Sequence, residues 1–373
     1  MGRARGQLLG AKATTHRYAL SVAWALIPSG ILIYVALYSV VPMLPGLERL
    51  FGTAPGSTHL GISLPFLVLV LLSPVVPRIR LPVGSVIGGG LFGVGLFGVL
   101  AGLAPSLEIW TLCRTLQGAF AAAVPGLSLA LLPKLYPRKH AQMAGLWVAG
   151  NVLGGGLGRG LGGLLAEGLG ERWAIVLLAL PIAITALFVL RERDHLALPA
   201  PRYTLSAWPL YALGFALLFV NFFVANLLPY RLEALGLSQG QIGGVFFAYL
   251  AGIPGSALAG VWVKRLGVVR AFRLALGVAA LGLLVQLPDQ PFWILVGFVL
   301  MMAGIFTAQA IAGGVSGQGG SGVSGTYVAA FYLGGTVAGL VYPPFIGESA
   351  LWGQGTALGV SLLAVLLAGR ALR

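Results

Sequence analysis

Long apolar runs, broken by short polar segments, follow one another through almost the whole chain. A membrane-spanning helix needs roughly 20 mostly apolar residues, and the 373-residue sequence contains twelve runs near that length. Only 9% of the residues are charged, whereas a soluble domain carries roughly 25%. The sequence therefore predicts an all-α integral membrane protein with twelve transmembrane helices. The predicted spans are residues 18–44, 57–77, 82–104, 107–132, 141–166, 172–190, 205–229, 239–263, 268–287, 291–313, 321–345 and 350–369.

Basic residues occupy alternate connections between the predicted spans. With the N-terminus placed in the cytoplasm, 18 of the 23 Lys and Arg residues lie in cytoplasmic segments, and three (Arg49, Arg172 and Arg231) lie in outer loops. Cytoplasmic loops of membrane proteins are enriched in Lys and Arg, so we predict a multi-pass protein of the inner (cytoplasmic) membrane with both termini cytoplasmic. The same distribution explains the net charge of +14 without a nucleic-acid partner, since no basic cluster is long enough to bind one.

The chain divides almost in half at its longest polar stretch, residues 191–203. We predict an N-terminal six-helix half (1–190), a cytoplasmic linker (191–204) and a C-terminal six-helix half (205–373). The halves share a short repeat, because Pro45 and Gly52 recur 184 residues later as Pro229 and Gly236. Repeats of six helices are typical of secondary transporters, whose substrates bind near the membrane midplane between the halves.

Two arginines lie well inside predicted spans, away from the span ends, where a charge is costly and usually faces a cavity or a partner. Arg114 shares a helix face with Gln117, three residues later, and Arg159 lies in a glycine-rich helix. The alternative for each arginine is that it snorkels to an interface or caps a neighbouring helix. Amides and hydroxyls within spans are further candidates, which alternatively hold helices together. The predicted substrate or coupling residues are Arg114, Gln117, Tyr34, Tyr38, Asn221, Asn226, Gln309 and Arg159.

The sequence lacks the residues or motifs that several kinds of chemistry require. No Asp or Glu lies near the centre of a span, and proton relays usually use intramembrane carboxylates, so proton coupling is not visible. A cavity that holds Arg114 without an acid favours an anionic or hydroxyl-rich ligand. The phosphate loop and the common hydrolase motifs are missing, which argues against an enzyme. One cysteine and four scattered histidines predict no disulfide, no metal site and no cofactor.

Two motifs resemble those of the major facilitator superfamily. The segment Arg114-Thr-Leu-Gln117-Gly118 resembles that superfamily's fourth-helix motif R-x-x-Q-G. The fifth predicted span resembles its "antiporter" motif G-x(8)-G-x(3)-G-P-x(2)-G-G, with Arg159 in place of the proline. The Gly-Arg pair that results resembles the sequence of the bacterial sugar- and drug-efflux permease branch at this position. The glycines of the motif are Gly145, Gly154, Gly158, Gly162 and Gly163. Three of them, Gly154, Gly158 and Gly162, form a bare helix stripe for packing or for sliding.

The resemblance implies a transporter that exports a small organic solute by alternating access, with a fourth-helix arginine tied to proton coupling. It implies no cofactor; the partners are the solute, the lipid bilayer and, as an open alternative, protons, and we predict a monomer. The family's gating loop is altered here, since its conserved Asp is lost and the remaining basic residues are Arg78, Arg80, Lys264 and Arg265. An uptake carrier or facilitator for a small, anionic solute and a non-transporting membrane sensor or scaffold therefore stay open as alternatives.

Overall fold

The computed structural model describes residues 27–125, 127, 131, 136, 140–190 and 203–372, and within these ranges it is helical and contains no strand. Nine helices of the described part are long and apolar enough to cross a membrane. Large apolar side chains point away from the bundle, among them Phe188 and Leu366, which are 63% and 65% exposed. An apolar surface of this extent is stable only against lipid or a partner. The prediction of a multi-pass, all-α integral membrane protein is confirmed.

The helices follow the predicted spans in order, and we number them α1 to α12. Gly170, with φ of +79°, divides the segment His140–Val189 into α5 (140–169) and α6 (171–189). With 14 and 15 residues, α2 and α4 are shorter than a full crossing, so the number of twelve crossings stays a prediction. The other bounds are α1 Ile27–Phe51, α2 His59–Leu72, α3 Val83–Gly102, α4 Leu107–Ala121, α7 Trp208–Ala234, α8 Gln239–Leu266, α9 Val268–Val285, α10 Pro291–Gln318, α11 Gly320–Val341 and α12 Ala350–Ala371.

Several helices extend beyond their predicted ends, and α1 and α10 are two of them. Helix α1 continues seven residues past residue 44, after a 3₁₀ turn at Val41–Met43. Pro42 and Pro45 cannot donate a backbone hydrogen bond, so they loosen the helix there without ending it. Helix α10 continues past residue 313 to Gln318, and Gly320, with φ of +83°, opens the next helix. The linker residues 191–202 lie outside the described residues, and the predicted domain boundaries stay predictions.

The two halves face each other across an approximate two-fold axis. Gly52 and Gly236, which are 184 residues apart, follow α1 and α7 with positive φ of +65° and +82°. Arg49 forms an ion pair with Glu233, and the ring of Tyr38 contacts that of Phe222 at 5.6 Å; each of these pairs is also 184 residues apart. A residue that touches its own counterpart lies near the axis that relates the repeats. Helices α1 and α7 therefore meet at that axis.

The halves also meet along two seams, where α2 packs against α11 and α5 packs against α8. We call the two ends of the bundle the Glu48 end and the Arg78 end. The Glu48 end holds Glu48, Arg49, Glu233 and Ser238, and the Arg78 end holds Arg78, Arg80, Lys264 and Arg265. Helix α2 runs from the first end to the second, because it begins beside Glu48 and leads into the turn that contains Arg78.

Candidate functional site

Helix α5 lies between α1 of its own half and α8 of the other. A Cβ atom at Gly158 would come within 2.5 Å of the Val35 carbonyl oxygen of α1, so only glycine permits this approach. Gly163 meets Gly243 of α8 with similarly close backbones. Close contact of small residues is how helices associate in lipid. The glycines packed on the α1 backbone are Gly154, Gly158 and Gly162, whereas the surroundings of Gly145 lie outside the described side chains.

Arg114 is buried inside the N-terminal half and is held by backbone carbonyls. Its Nη2 donates to the Leu37 carbonyl at 2.6 Å, and its Nη1 donates to Ala36 at 3.3 Å and to the Gln117 side-chain oxygen. Its Nε donates to Gly61 of α2 at 3.3 Å. Gln117 in turn donates to a carbonyl of α3 at 2.9 Å. Arg114 and Gln117 thus share a face, as predicted, and join α1, α2, α3 and α4.

A group of six aromatic rings, which we call the aromatic cluster, fills the centre of the molecule between the halves. Tyr38 stacks on Tyr34 at 5.6 Å and on Phe66 at 5.3 Å. Phe66 contacts Phe222 at 5.1 Å, and the hydroxyls of Tyr34 and Tyr332 are hydrogen-bonded across the interface. The N-terminal half supplies Tyr34, Tyr38 and Phe66, and the C-terminal half supplies Phe222, Tyr249 and Tyr332.

Arg159 of α5 lies inside this cluster and is 1% exposed. Its guanidinium carbon is 3.9 Å from the ring centroid of Tyr38 and 4.2 Å from that of Tyr249, so one ring comes from each half. A cation over an aromatic face is stabilised by the ring quadrupole. Nη1 donates to the Gly155 carbonyl at 3.2 Å, while Nε is buried without a hydrogen-bond partner among the described residues.

The predicted amides divide into two groups. Asn221 of α7 belongs with the cluster, since its side-chain oxygen accepts a hydrogen bond from the Tyr249 hydroxyl. Asn226 and Gln309 each have a buried polar atom that finds no hydrogen-bond partner in the described part of the chain. The hydrogen bonds and ring contacts of the described residues do not connect these two amides to the cluster. The structure therefore brings together Tyr34, Tyr38, Arg159 and Asn221, and keeps Arg114 and Gln117 apart from them.

The Glu48 end is closed by polar contacts between the halves. Glu48 is 3% exposed, and its Oε1 accepts hydrogen bonds from Thr58 Oγ1 and from Tyr230 of α7, each at 2.8 Å. Beside it, Arg49 and Glu233 form the ion pair at 2.5 Å. Sequence reasoning did not single out Glu48, because a carboxylate near a span end usually faces water. Phe66 and Phe222 were also missed, although the 184-residue repeat links Phe222 to Tyr38.

The Arg78 end has a different surface. Its four basic residues, the predicted gating loop, are all exposed. Burial raises the pKa of the Tyr203 hydroxyl, and nearby Arg78 lowers it, so the start of the C-terminal half lies close to this loop. The residues that carry the gating prediction are Arg78, Arg80, Lys264 and Arg265.

Two helical halves that meet around a central polar and aromatic cluster have the architecture of a secondary transporter. The chain belongs to the Major Facilitator Superfamily, whose sequence profile matches residues 26–343.

Relatives and a solved structure agree with this assignment. The inner membrane transport protein YnfM of Escherichia coli (strain K12) is 27% identical over 384 residues, which cover 94% of this chain and 90% of that protein. The multidrug resistance protein Stp of Mycobacterium tuberculosis (strain CDC 1551 / Oshkosh) is 33% identical over 155 residues, or 39% of this chain and 28% of that protein. A bacterial homologue of the human lysosomal transporter Spinster, solved in an inward-facing and occupied conformation, shares the fold with a TM-score of 0.73 at 13% identity, covering 95% of this chain and 97% of that one.

Proposed function

We propose that this protein exports a small organic solute across the bacterial inner membrane by alternating access, with both termini in the cytoplasm. The observation that carries the proposal is the polar closure of the Glu48 end. In this topology the Glu48 end faces outward, so the central cluster is separated from the outside by contacts that join the two halves. The ion pair of Arg49 with Glu233 and the Glu48–Tyr230 hydrogen bond can both be exchanged for contacts with water when the halves separate.

The two seams supply a surface on which such a motion can occur. Gly163 and Gly243 bring the backbones of α5 and α8 together, and the ring of Phe247 packs on Gly160. A seam built on glycines lets two rigid bundles rock against each other around a site between them. The resistance protein among the relatives and the antiporter-like glycine motif both support export over uptake.

Glu48 is our proposed carrier of a coupled proton. It is a carboxylate buried between the halves, and Tyr230 of the other half donates to it. Separation of the halves at this end removes the Tyr230 donor and exposes the carboxylate to water. A protein that uses this group exchanges protons for solute, which is proton-coupled antiport.

The test is flux in liposomes that contain the purified protein and an imposed pH gradient, with a panel of drugs, sugars and organic anions. We expect at least one solute to move against its own gradient when protons move the other way, and we expect Glu48→Gln to abolish that coupling. Glu348→Gln is the matched control, because it removes an exposed carboxylate that belongs to neither ion pair of the described residues.

Three other outcomes would separate the alternatives. Movement of solute only down its gradient, without proton dependence, would identify a facilitator. Accumulation driven in the direction of the cytoplasm would identify an uptake carrier. No flux of any solute would favour a membrane sensor or scaffold.

A further inference from the structure

Arg159 carries a charge at the centre of the molecule without a counter-charge from the described protein. A guanidinium stays protonated in proteins, and an ion buried within a membrane protein is costly unless it is paired. The described residues form two ion pairs, Arg49–Glu233 and Arg231–Asp289, and neither involves Arg159. The aromatic rings compensate part of the cost, but they do not neutralise the charge.

The geometry leaves the hydrogen-bonding edge of the guanidinium for another molecule. Tyr38 and Tyr249 lie over the guanidinium carbon, whereas the N–H groups of a guanidinium point outward in its own plane. One N–H is used by the Gly155 carbonyl, and Nε has no partner among the described residues. A carboxylate or phosphate group accepts two parallel hydrogen bonds from such an edge.

The chain makes room for this arrangement. A Cβ at position 155 would lie 3.3 Å from Arg159 Nη1 and 3.2 Å from the Tyr38 ring. Glycine at this position therefore gives the guanidinium its place beside Tyr38. A packing role alone would not require a charged residue here, because an apolar side chain of similar size would fill the same space at lower cost.

The surroundings of the guanidinium fit an apolar body attached to an anionic group. Phe66 and Phe222 contact each other and Tyr38, which gives an aromatic wall on both sides of the interface. The paired hydroxyls of Tyr34 and Tyr332 add polar groups at one edge of this wall. Aromatic side chains favour flat or apolar bodies over fully hydroxylated ones.

We propose that Arg159 binds the anionic group of the transported solute, and that the solute is an organic anion, a carboxylate or phosphate ester with an apolar body. This proposal rests on the function proposed above and adds the substrate class to it. A neutral sugar does not compensate the buried charge, and a cationic drug is repelled by it. Since Tyr38 and Tyr249 come from opposite halves, an anion held at Arg159 contacts a site that is assembled only when the halves are close.

The test compares ligands that share one body and differ in charge. The thermal stability of purified wild-type protein is measured with 4-phenylbutyrate, 4-phenylbutyramide and 4-phenylbutylamine, and in a second arm with decanoate, decanamide and decylamine. A ligand that binds the native state raises its apparent stability. We expect stabilisation by the acid of at least one set and none by its amide or amine. The set that responds tells whether the body is a soluble aromatic acid or a lipid-derived chain.

Variants place the anion at Arg159. We expect Arg159→Gln to weaken binding of the stabilising acid at least ~10-fold, because a charge-assisted hydrogen bond is lost. Arg159→Lys keeps the charge without the planar edge and should bind with intermediate affinity. Arg270→Gln removes an exposed arginine on α9 and should bind as the wild type does. The comparison between acid and amide in the wild type stays decisive if a variant does not fold.

Two results would overturn the inference, namely no stabilisation by any acid of either set, or equal binding of the acid to wild type and Arg159→Gln. If a neutral or cationic solute is transported in either case, the proposed export function stands and only the anion site at Arg159 is refuted. Arg159-dependent binding of an acid that is never transported would do the reverse, since the anion site would stand and the transport function would fail.

Discussion

Arg114 and Arg159 are both buried arginines of the N-terminal half, yet they have different partners. Arg114 donates hydrogen bonds to the carbonyls of Ala36, Leu37 and Gly61 and to the side chain of Gln117. Among the described residues, Arg159 has one hydrogen bond, to Gly155, and its guanidinium lies over the rings of Tyr38, Tyr249 and Phe222. The first arginine joins helices of one half. The second lies where the two halves meet.

This difference separates a structural charge from a ligand-binding charge. Two of the carbonyls that Arg114 satisfies, those of Ala36 and Leu37, lie just before the 3₁₀ turn of α1, where Pro42 interrupts the regular helical hydrogen bonds. They do not depend on how the halves are arranged. The ring contacts of Arg159 do depend on it, because Tyr249 belongs to the other half. Since the contacts of Arg159 change when the halves move, Arg159 is suited to bind the solute that the halves transport.

The largest expected effect is on stability at Arg114. Arg114→Ala leaves buried carbonyls of α1 and α2 without donors, so we expect the free energy of unfolding to fall by about 3 kcal/mol. Arg159→Ala removes one hydrogen bond and the ring contacts, which destabilises the protein, but it also removes an uncompensated buried charge. Because these effects oppose each other, we expect the free energy of unfolding to change by less than ~1 kcal/mol. Denaturant unfolding in detergent without ligand measures both. Equal losses would break the comparison.

The second-largest effect on stability is expected at the glycine stripe of α5 that packs against α1. Gly158→Ala forces a Cβ against the Val35 carbonyl, and overpacking of this kind costs about 2 kcal/mol. Gly168→Ala is the matched control in the same helix, since no atom lies within 4 Å of its added Cβ; it should stabilise the protein by up to ~1 kcal/mol. If Gly158→Ala proves neutral in the same unfolding assay, the close approach of α1 and α5 is wrong.

The ring of Tyr38 should matter more than its hydroxyl. Tyr38→Leu removes the face that stacks on Arg159, and Tyr38→Phe retains it. A double-mutant cycle of Tyr38→Leu with Arg159→Gln should give a coupling energy of about 1 kcal/mol. The corresponding cycle with Tyr38→Phe should give less than half of that. Similar coupling in both cycles would mean that the hydroxyl, and not the ring, holds the arginine.

The smallest effect is expected for a third arginine, at the Glu48 end. The side chains of Arg49 and Glu233 are 63% and 37% exposed, and exposed ion pairs contribute about 0.2–1 kcal/mol. The double-mutant cycle of Arg49→Ala with Glu233→Ala should fall in that range and shrink as salt is added. A salt-independent coupling energy above ~2 kcal/mol would show that this ion pair is too strong to open readily when the halves separate.

The helices could be predicted closely, while the candidate site could be predicted only in part. The bounds of α8 to α12 fall within five residues of their predictions, because each helix must hold enough apolar residues to cross the bilayer. The stacking of Tyr34 on Tyr38 follows from their four-residue spacing. The kink at Gly170 and the extension of α1 to Phe51 were harder to predict, since glycine and proline change a helix without always ending it.

The sequence by itself determined the class of the molecule. Because so few residues are charged, much of the surface must face lipid. Basic residues occupy every second connection between the spans, and the 184-residue repeat relates one half to the other. Only the tertiary structure decided which buried arginine is satisfied by its own half and which lies between Tyr38 and Tyr249. The physical reason is that insertion into lipid depends on the apolar content of each segment taken alone, whereas the partners of a buried charge come from segments far apart in the chain.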